Sequence, residues 1–313
     1  MKRITLLFLL AVLVVILAAC SSVAAQSTES ATISVAAAGP VEPTATDVEH
    51  QQVSETTPSP VSVEYDQDDL EYAADTSALS HISLTGDSIT SGSESAVVDG
   101  SVVTITSAGT YRISGTLSDG QIIVDMQDEE TVYLVLDGVD ITCLTSAPIY
   151  VANAEKTVIT LADGTENYVT DRESYVFAGA ETDEPNATVF SKDDLTINGS
   201  GSLIVNANYN NGIASKDDLK ITGGDITVNA ANDGIKGRDS IAILDGDITV
   251  DAGGDGMQSN NDEDAEKGTI AIEGGTLNIT AGLDGIQAET SLLVSGGTLI
   301  VATGGSSSAG ESA

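Results

Sequence analysis

One repeating stretch governs how this chain folds: residues Asn232–Met257 read NDGIKGRDSIAILDGDITVDAGGDGM. The stretch opens with Asp233-Gly-Ile and closes with Asp255-Gly-Met, two tripeptides that lie 22 positions apart (233 to 255). Between them, Ile and Val alternate twice with polar residues, and a Gly turn joins the two alternations. Such alternation predicts short strands with one apolar side and one polar side. Its return after a fixed interval indicates a stack of equivalent units.

The apolar positions keep their register from unit to unit. One unit carries Leu219, Ile221, Ile226, Val228 and Ile235, and adding 22 gives Ile241, Ile243, Ile248, Val250 and Met257. Adding 29 and then 22 continues the same series with Ile270, Ile272, Leu277, Ile279 and Ile286, and then with Leu292, Val294, Leu299 and Val301. The larger step is 22 plus a seven-residue insertion within Gln258–Gly268. We predict that each strand pairs with its equivalent in the next unit.

Two all-β architectures fit these repeats. In a right-handed parallel β-helix, a solenoid with coils of about 22 residues, each unit is one coil. Alternatively, the two alternations of a unit form an antiparallel hairpin, as in a propeller or a sandwich. The strict register favours the β-helix, and an insertion can loop out at a corner of a coil without disturbing that register. Before residue 190 the alternation is less regular, and we interpret it as earlier coils.

The start of the chain resembles a bacterial lipoprotein signal. Lys2 and Arg3 precede an apolar run that ends at Leu17-Ala-Ala-Cys20, similar to a lipobox. Residues 1–20 are therefore predicted to be a signal peptide, with Cys20 lipidated and the protein anchored to the cell membrane facing outward. Residues 21–75, rich in Ser, Thr and Pro, are predicted to be a disordered linker, and residues 76–313 the β-helix domain. We expect the acidic run Tyr65–Asp75 to be the solvated end of that linker, with a first metal-ligand cluster as the alternative.

Composition excludes several classes of function. The chain of 313 residues has 11 Lys and Arg against 48 Asp and Glu, a net charge of −37, which argues against nucleic acid and anionic lipid surfaces as partners. Only two His are present, so no catalytic triad or zinc site can be assembled. Cys143 is interpreted as a small apolar filler.

The acidic residues also recur with the repeat. The corners of successive units carry Asn211, Asp233, Asp255 and Asp284, which a stack of coils brings about 4.8 Å apart. Like charges at that spacing repel unless a cation neutralises them, and carboxylate and amide oxygens are the ligands that calcium accepts. The candidate calcium ligands are Asn211, Asp217, Asp233, Asp239, Asp255, Asp262, Asp264 and Asp284. The alternative is that Asp-Gly simply forms a good turn and the charges face water.

These motifs resemble a known family. Residues 190–243, FSKDDLTINGSGSLIVNANYNNGIASKDDLKITGGDITVNAANDGIKGRDSIAI, and 260–289, which end in AGLDGIQAE, are similar to bacterial surface carbohydrate-binding proteins, and the resemblance covers roughly 76–303. It implies a calcium-containing right-handed parallel β-helix that binds cellulose and polygalacturonate-type sugars. Matching the repeated motif gives the metal-ligand role to Asp233, Asp255 and Asp284 with Asp217 and Asp239. Two departures stand out, since Ser306 replaces the expected Asp and the family's usual C-terminal continuation is missing.

The leading functional hypothesis is therefore a non-catalytic surface lipoprotein that binds a polysaccharide, with calcium bridging protein and uronate carboxylates. Trp is absent, so Tyr175 and Tyr209 are the candidate aromatic platforms for a sugar. One alternative is a calcium-dependent polysaccharide lyase, for which Arg238 and Lys236 are the candidate bases. Another is a structural stalk or adhesin.

Overall fold

The computed structural model describes residues 63–71, 79–127, 130–177, 179 and 183–304. These residues lie in one compact unit, Val53–Ala313. The predicted signal peptide with Cys20, most of the predicted linker, and Ser306 fall outside the described residues. Among the described residues, no helix is both long and apolar enough to cross a membrane.

The fold is all-β, as expected, and apart from two antiparallel pairs formed by the first four strands, its strands form three columns of parallel neighbours. Column 1 contains β9 (Lys156–Leu161), β12 (Asp194–Gly199), β15 (Asp218–Ile221), β18 (Ser240–Ile243), β21 (Thr269–Ile272) and β24 (Ser291–Val294). Column 2 contains β10 (Glu166–Thr170), β13 (Ser202–Ala207), β16 (Asp225–Ala230), β19 (Asp247–Ala252), β22 (Thr276–Ala281) and β25 (Thr298–Thr303). Column 3 contains β8 (Ile149–Asn153), β11 (Ala187–Ser191), β14 (Asn211–Ser215), β17 (Ile235–Gly237), β20 (Met257–Ser259) and β23 (Ile286–Ala288).

The predicted register between units is confirmed. Leu219 pairs with Ile241, which pairs with Ile270, which pairs with Leu292. The column 2 series from Ile226 and Val228 and the column 3 series from Ile235 pair in the same way. The two strands of one unit, such as β15 and β16, are not neighbours in a sheet, so the antiparallel-hairpin alternative is wrong for the repeats.

The N-terminal strands join columns that are separate further along the chain. They are β1 (Ser80–Gly86), β2 (Ile89–Ser91), β3 (Ala96–Asp99), β4 (Val102–Ile105), β5 (Gly109–Leu117), β6 (Gln121–Asp125) and β7 (Thr131–Thr142). The long β7 pairs with β9 through its first half and with β10 through its last residues, which merges columns 1 and 2 into one sheet. β5 and β7 extend across both column 1 and column 2. This region therefore lacks the corner that separates the two columns in the repeats, which explains why its sequence alternation is less regular.

The inward residues of all three columns form a continuous core. The Ile, Val and Leu at the repeated positions are almost fully buried up to the unit that contains Leu277 and Ile279. In the last described unit, Leu292, Val294 and Val301 are exposed, because no further described strand packs against them. Burial of this column of aliphatic side chains is the main force that stacks the units.

Glycine has two different roles in the repeats. The glycines that link columns 1 and 2 adopt the positive φ expected for such turns, for example 101° at Gly224 and 127° at Gly246. The corner glycines serve close packing instead. A Cβ on Gly234 would lie 2.3 Å from Val250 and 2.7 Å from the carbonyl oxygen of Gly256, so the corner has no room for a side chain.

A short helix, α1 (Gln67–Leu70), precedes the first strand and packs against column 1. Asp66 caps it, accepting hydrogen bonds from the backbone of Asp68 and Asp69, while the Asp69 carboxylate accepts one from the Asp66 N–H. Asp69 is fully buried. The expectation that the whole acidic run Tyr65–Asp75 is solvated is therefore wrong for Asp69, and the part of the predicted 21–75 linker from residue 63 to 71 lies on the sheet.

Candidate functional site

Four predicted ligands, Asn211, Asp233, Asp255 and Asp284, lie in one column, as the sequence predicted, and we call this set the corner column. The side chains of the first three members each accept a hydrogen bond from the backbone N–H of the next member. Asn211 Oδ1 accepts from Asp233 (3.2 Å), Asp233 Oδ1 from Asp255 (3.0 Å), and Asp255 Oδ1 from Asp284 (2.9 Å). The carboxylates thus satisfy buried backbone donors.

The second carboxylate oxygens of Asp233 and Asp255 also have partners. Asp233 Oδ2 lies 3.5 Å from Lys236 Nζ, and Asp255 Oδ2 accepts a hydrogen bond from Gln258 at 2.6 Å. Asp233 and Asp255 are buried, and Asp284 is exposed at the end of the series. The repulsion expected between stacked carboxylates is therefore offset by N–H, amide and ammonium donors, so the corner column is a poor fit for calcium.

A second acidic column consists of Asp193, Asp217 and Asp239, the residues that precede β12, β15 and β18, and we call it the second column. The backbone N–H of Asp239 donates to the carbonyl of Asp217 (3.2 Å), which fixes their stacking. Asp193 accepts from the Ala154 N–H, and Asp239 accepts from Asn261 and pairs with Lys267. No donor within the described ranges reaches the carboxylate of Asp217.

Asp217 is consequently the electrostatically strained member of the second column. Burial raises its pKa, the nearby Asp239 and Asp193 carboxylates raise it further, and the Lys267 ammonium offsets only part of this rise. Burial also raises the pKa of the adjacent Asp194 to about 6, with help from Asp218. Of the predicted ligands that are buried or half-buried, Asp217 is the one whose carboxylate accepts no hydrogen bond within the described part of the chain. No group of three or more acidic, His or Cys side chains in the described part of the chain forms a ready-made metal cage, so calcium here would draw further oxygens from backbone or water.

The insertion between β20 and β21 lies apart from the corner column. Asp262 and Asp264 are exposed on it, and Asp264 caps its own loop by accepting from the Glu266 N–H. Two residues of the insertion form ion pairs with the repeats: Lys267 with Asp239, and Glu263 with Arg238. The insertion thus neutralises the C-terminal end of the second column.

The candidate lyase bases are already engaged. Arg238 pairs with Glu263 at 2.5 Å, and this hydrogen bond raises the pKa of the guanidinium above its ordinary value. Lys236 Nζ contacts Gln258 Oε1 and lies near Asp233. A base must release its proton near neutral pH, so these contacts disfavour a role in proton abstraction.

The two predicted aromatic platforms come together on one side of the fold. The rings of Tyr175 and Tyr209 stack with centroids 4.1 Å apart and planes inclined by 19°, and Phe177 lies 6.2 Å from each ring. Tyr175 is held in place because its hydroxyl donates to the buried Asp171 at 2.6 Å. We call these three half-buried rings the aromatic cluster. Cys143 is buried, as its interpretation as a filler predicted.

A further site was missed by sequence reasoning: column 1 binds residues 63–71, part of the predicted linker. We call residues 63–71 the strap. Its Asp69 carboxylate forms ion pairs with Lys156 and with Lys220 (2.8 Å) and accepts a hydrogen bond from the Thr196 hydroxyl (2.7 Å). A signal for the helix was present, since Asp66 and Asp69 have capping-box spacing. No sequence period could have revealed its partners, which lie 87 to 151 residues away.

Comparison with known proteins places these features in context. A curated relative, a carbohydrate-binding domain-containing protein of Acetivibrio thermocellus, is 56% identical over 128 residues, which make up 41% of this chain and 45% of the relative. The match therefore spans less than half of that relative's length. A solved structure, described as a polysaccharide lyase-like protein from C. thermocellum in a gadolinium derivative, is 41% identical with a TM-score of 0.66. That match covers 70% of this chain and 99% of the solved one.

The strongest assignment comes from the family model described as carbohydrate-binding domain-containing protein, which matches residues 99–313. This range contains the corner column, the second column and the aromatic cluster. The chain belongs to the family of carbohydrate-binding domain-containing proteins.

Proposed function

We propose that this chain is a non-catalytic, cell-surface lipoprotein that binds cellulose or an acidic polysaccharide of the polygalacturonate type with the help of calcium. Family membership over residues 99–313 is the observation that carries the sugar-binding part of this proposal. Lipid attachment at Cys20, and with it the outward-facing membrane location, comes from the N-terminal sequence. Mass spectrometry of the mature N-terminus, compared with a Cys20→Ser variant, tests it.

The domain is proposed to be a right-handed parallel β-helix. Strands in all three columns pair in parallel with their equivalents one unit later, which is the pairing that stacked coils require. A solenoid of this kind presents long rows of outward side chains at one strand spacing, and such rows suit an extended polymer.

Calcium is proposed to bind at the second column, with Asp217 as its central ligand. Among the described residues, Asp217 has no hydrogen-bond donor and faces Asp239 and Asp193, which Lys267 offsets only in part, so a divalent cation would relieve the repulsion. Gadolinium, present in the derivative of the solved relative, is a hard cation that also prefers oxygen ligands. A bound cation would further allow an acidic protein to hold an acidic sugar, because both sets of carboxylates can share it.

The aromatic cluster is the proposed contact for sugar rings. Tyr209 and Phe177 are half-buried, and Tyr175 is fixed by its hydrogen bond to Asp171. Aromatic rings held rigidly at a surface lose little conformational freedom when they bind a ligand, and their faces suit the apolar faces of sugars.

A lyase is the second candidate, favoured by the description of the solved relative as polysaccharide lyase-like. Against it stands the engagement of Arg238 by Glu263. Fold likeness alone does not establish activity.

The test is a retention assay on insoluble polygalacturonate and on cellulose, with and without a chelator, while absorbance of unsaturated products is followed. Calcium-dependent retention without product supports the proposal. Product that disappears in Arg238→Ala would establish the lyase, and absence of both would favour a structural stalk. Tyr209→Ala should weaken retention, whereas Tyr168→Ala, an exposed tyrosine outside the cluster, should leave it unchanged.

A further inference from the structure

The strap is bound mainly by polar contacts, and its helix contributes little apolar packing. Val63 and Tyr65 are half-buried, and Lys220 Nζ lies 5.7 Å from the centroid of the Tyr65 ring. Leu70, the only apolar residue of α1, is turned outward and is 50% exposed. By contrast, the carboxylates and carbonyls of the strap accept hydrogen bonds from several coils. Asp68 accepts from Tyr133 at 2.5 Å, and the Asp69 carbonyl accepts from Thr222 at 2.7 Å. A ligand that offers the same acceptors would replace these contacts.

The position under Asp69 has the composition of a carboxylate-binding site. Lys156 and Lys220 approach opposite oxygens of Asp69, and Thr196 donates to one of them. Lys156 is only 7% exposed, so its charge is held in a partly desolvated setting where charge-assisted hydrogen bonds are strong. We call Lys156, Thr196 and Lys220 the lysine seat.

The charge of the whole chain makes the lysine seat unusual. With 11 basic residues against 48 acidic ones, most of the surface repels a polyanion. The seat concentrates two of those cations with neutral donors on adjacent strands of column 1. An anionic sugar would find direct cationic partners here.

An open cavity of about 690 Å³ adjoins the seat. The repeats and the insertion line it with Lys220, Ser240 and Lys267 and with the carboxylates of Asp218, Asp239, Asp264 and Glu266, and the strap adds Glu64, Tyr65 and Asp66. An anionic sugar would therefore be attracted only to the part of this cavity beside the lysines. This volume falls in the range of small-ligand sites. Because Lys220 belongs to both the cavity and the seat, a sugar in the cavity lies within reach of the cation that holds Asp69.

We propose that the lysine seat is a uronate-binding subsite and that Asp69 of the strap occupies it as an internal substitute for a sugar carboxylate. Bound oligouronate displaces the strap, with its carboxylate exchanged for that of Asp69 between Lys156 and Lys220. Because the strap covers the lysine seat for part of the time, the apparent affinity for oligouronate is reduced in proportion to the fraction of time that the seat is uncovered. This inference rests on the proposed binding of acidic polysaccharides.

The experiment uses the full chain and trigalacturonate as the probe, with calorimetric titration as the readout. In Asp66→Asn/Asp69→Asn the strap loses its ion pairs, and we expect trigalacturonate to bind about tenfold more tightly than to the wild type. Adding Lys220→Gln to that variant should remove the gain. Asp247→Asn, an exposed carboxylate on column 2, is the matched control and should bind like the wild type.

Hydrogen exchange of the unmodified protein gives a second readout that needs no variant. Trigalacturonate should speed amide exchange in residues 66–71, and neutral cellotriose should not. Equal affinity of the double variant and the wild type, a gain that survives Lys220→Gln, or unchanged exchange would each overturn the inference.

Retention of the wild type on polygalacturonate is measured in parallel. If the wild type is retained but the double variant gains nothing, this inference fails and the proposed function stands. If neither the wild type nor the variant binds any uronate, binding of acidic polysaccharides is excluded and the lysine seat has no such role.

Discussion

The corner column and the second column carry the same kind of residue at the same interval, yet their carboxylates meet different partners. In the corner column, the Asp233 and Asp255 side chains each accept the backbone N–H of the next member. In the second column, Asp217 stands between Asp193 and Asp239, and no described donor reaches its carboxylate. One column is held together by its acidic side chains, and the other is strained by them.

This difference shows that a periodic carboxylate is not by itself a metal ligand. An acidic residue at a corner can replace a missing backbone acceptor, in the way that Asp caps a helix. Only a carboxylate without such a donor gains substantially from a cation. The following experiments separate the two roles.

The largest loss of stability is expected from adding a side chain at the corner, where the backbones of neighbouring units lie in close contact. Gly234→Ala places a Cβ 2.3 Å from Val250 and 2.7 Å from the Gly256 carbonyl oxygen, so the coils must move apart. We expect a loss of roughly 3 kcal/mol in the free energy of unfolding, measured by urea denaturation. Gly92→Ala has no atom within 4 Å of the new Cβ and is the control. Equal stability of the two variants would contradict the close packing of the corner.

Removing a corner acceptor comes next. Asp233→Ala leaves the buried Asp255 N–H without its partner and should cost about 2 kcal/mol, whereas Asp233→Asn keeps an acceptor oxygen and should cost less than about 1 kcal/mol. The exposed Asp247→Ala serves as the reference in the same denaturation series. If Asn proved as harmful as Ala, charge rather than hydrogen bonding would govern the column.

Asp194, which lies next to the second column, should affect the pH dependence of the stability of the chelated protein. Burial and Asp218 raise the pKa of Asp194 to about 6 from 3.8, so the folded state holds a proton that the unfolded state releases. The resulting stability is complete below pH 3.8 and lost as the pH rises to about 6. We expect Asp194 to contribute a decline on the order of 1–2 kcal/mol over that window, so the decline should be smaller in Asp194→Asn, where only the other carboxylates with raised pKa values, such as Asp217, contribute.

The strap titrates in the opposite sense, which keeps the two effects apart. Burial raises the pKa of Asp69, but hydrogen bonds from Lys220, Thr196 and Lys156 more than offset this and hold the pKa below its usual range. The stability from Asp69, which faces Asp66 as well as the two lysines, is therefore present above pH 3.8 and lost as the pH falls through the lowered value. A decline between pH 3.8 and 6 that is as large in Asp194→Asn as in the wild type would contradict the assignment to Asp194.

The smallest expected change in the metal-free protein is at Asp217. Asp217→Asn removes one charge from the second column and should stabilise the chelated protein by about 1 kcal/mol or less. Calcium should raise the melting temperature of the wild type and of Asp255→Asn, but not of Asp217→Asn. If calcium failed to raise the melting temperature of Asp255→Asn but still raised that of Asp217→Asn, the calcium site would be assigned to the corner column instead.

The repeat register was predictable because it follows from apolar burial. Leu219, Ile241, Ile270 and Leu292 occupy one inward row, as their spacing required. The corner column was predictable as a column for the same reason. Its chemistry was not, because spacing does not tell whether the N–H of Asp255 points at Asp233.

The strap shows the limit of periodic reasoning most clearly. Asp69 and Lys220 are 151 residues apart, and a single ion pair leaves no repeating trace in the sequence. The aromatic cluster was partly predictable from the sequence. Tyr175 and Tyr209 could be singled out as the chain's candidate platforms, but their stacking depends on the loop that follows Asp171.

The sequence by itself determined the all-β class, the interval of the repeat and the residues that face the core, since one unit cannot bury its Ile and Val alone. The tertiary structure decided which donor each carboxylate meets: a backbone N–H for Asp233 and Asp255, two lysines for Asp69, and other carboxylates for Asp217. Burial depends on a side chain's type and period, which a sequence displays. Electrostatic pairing depends on direction and distance in space, which only the folded chain supplies.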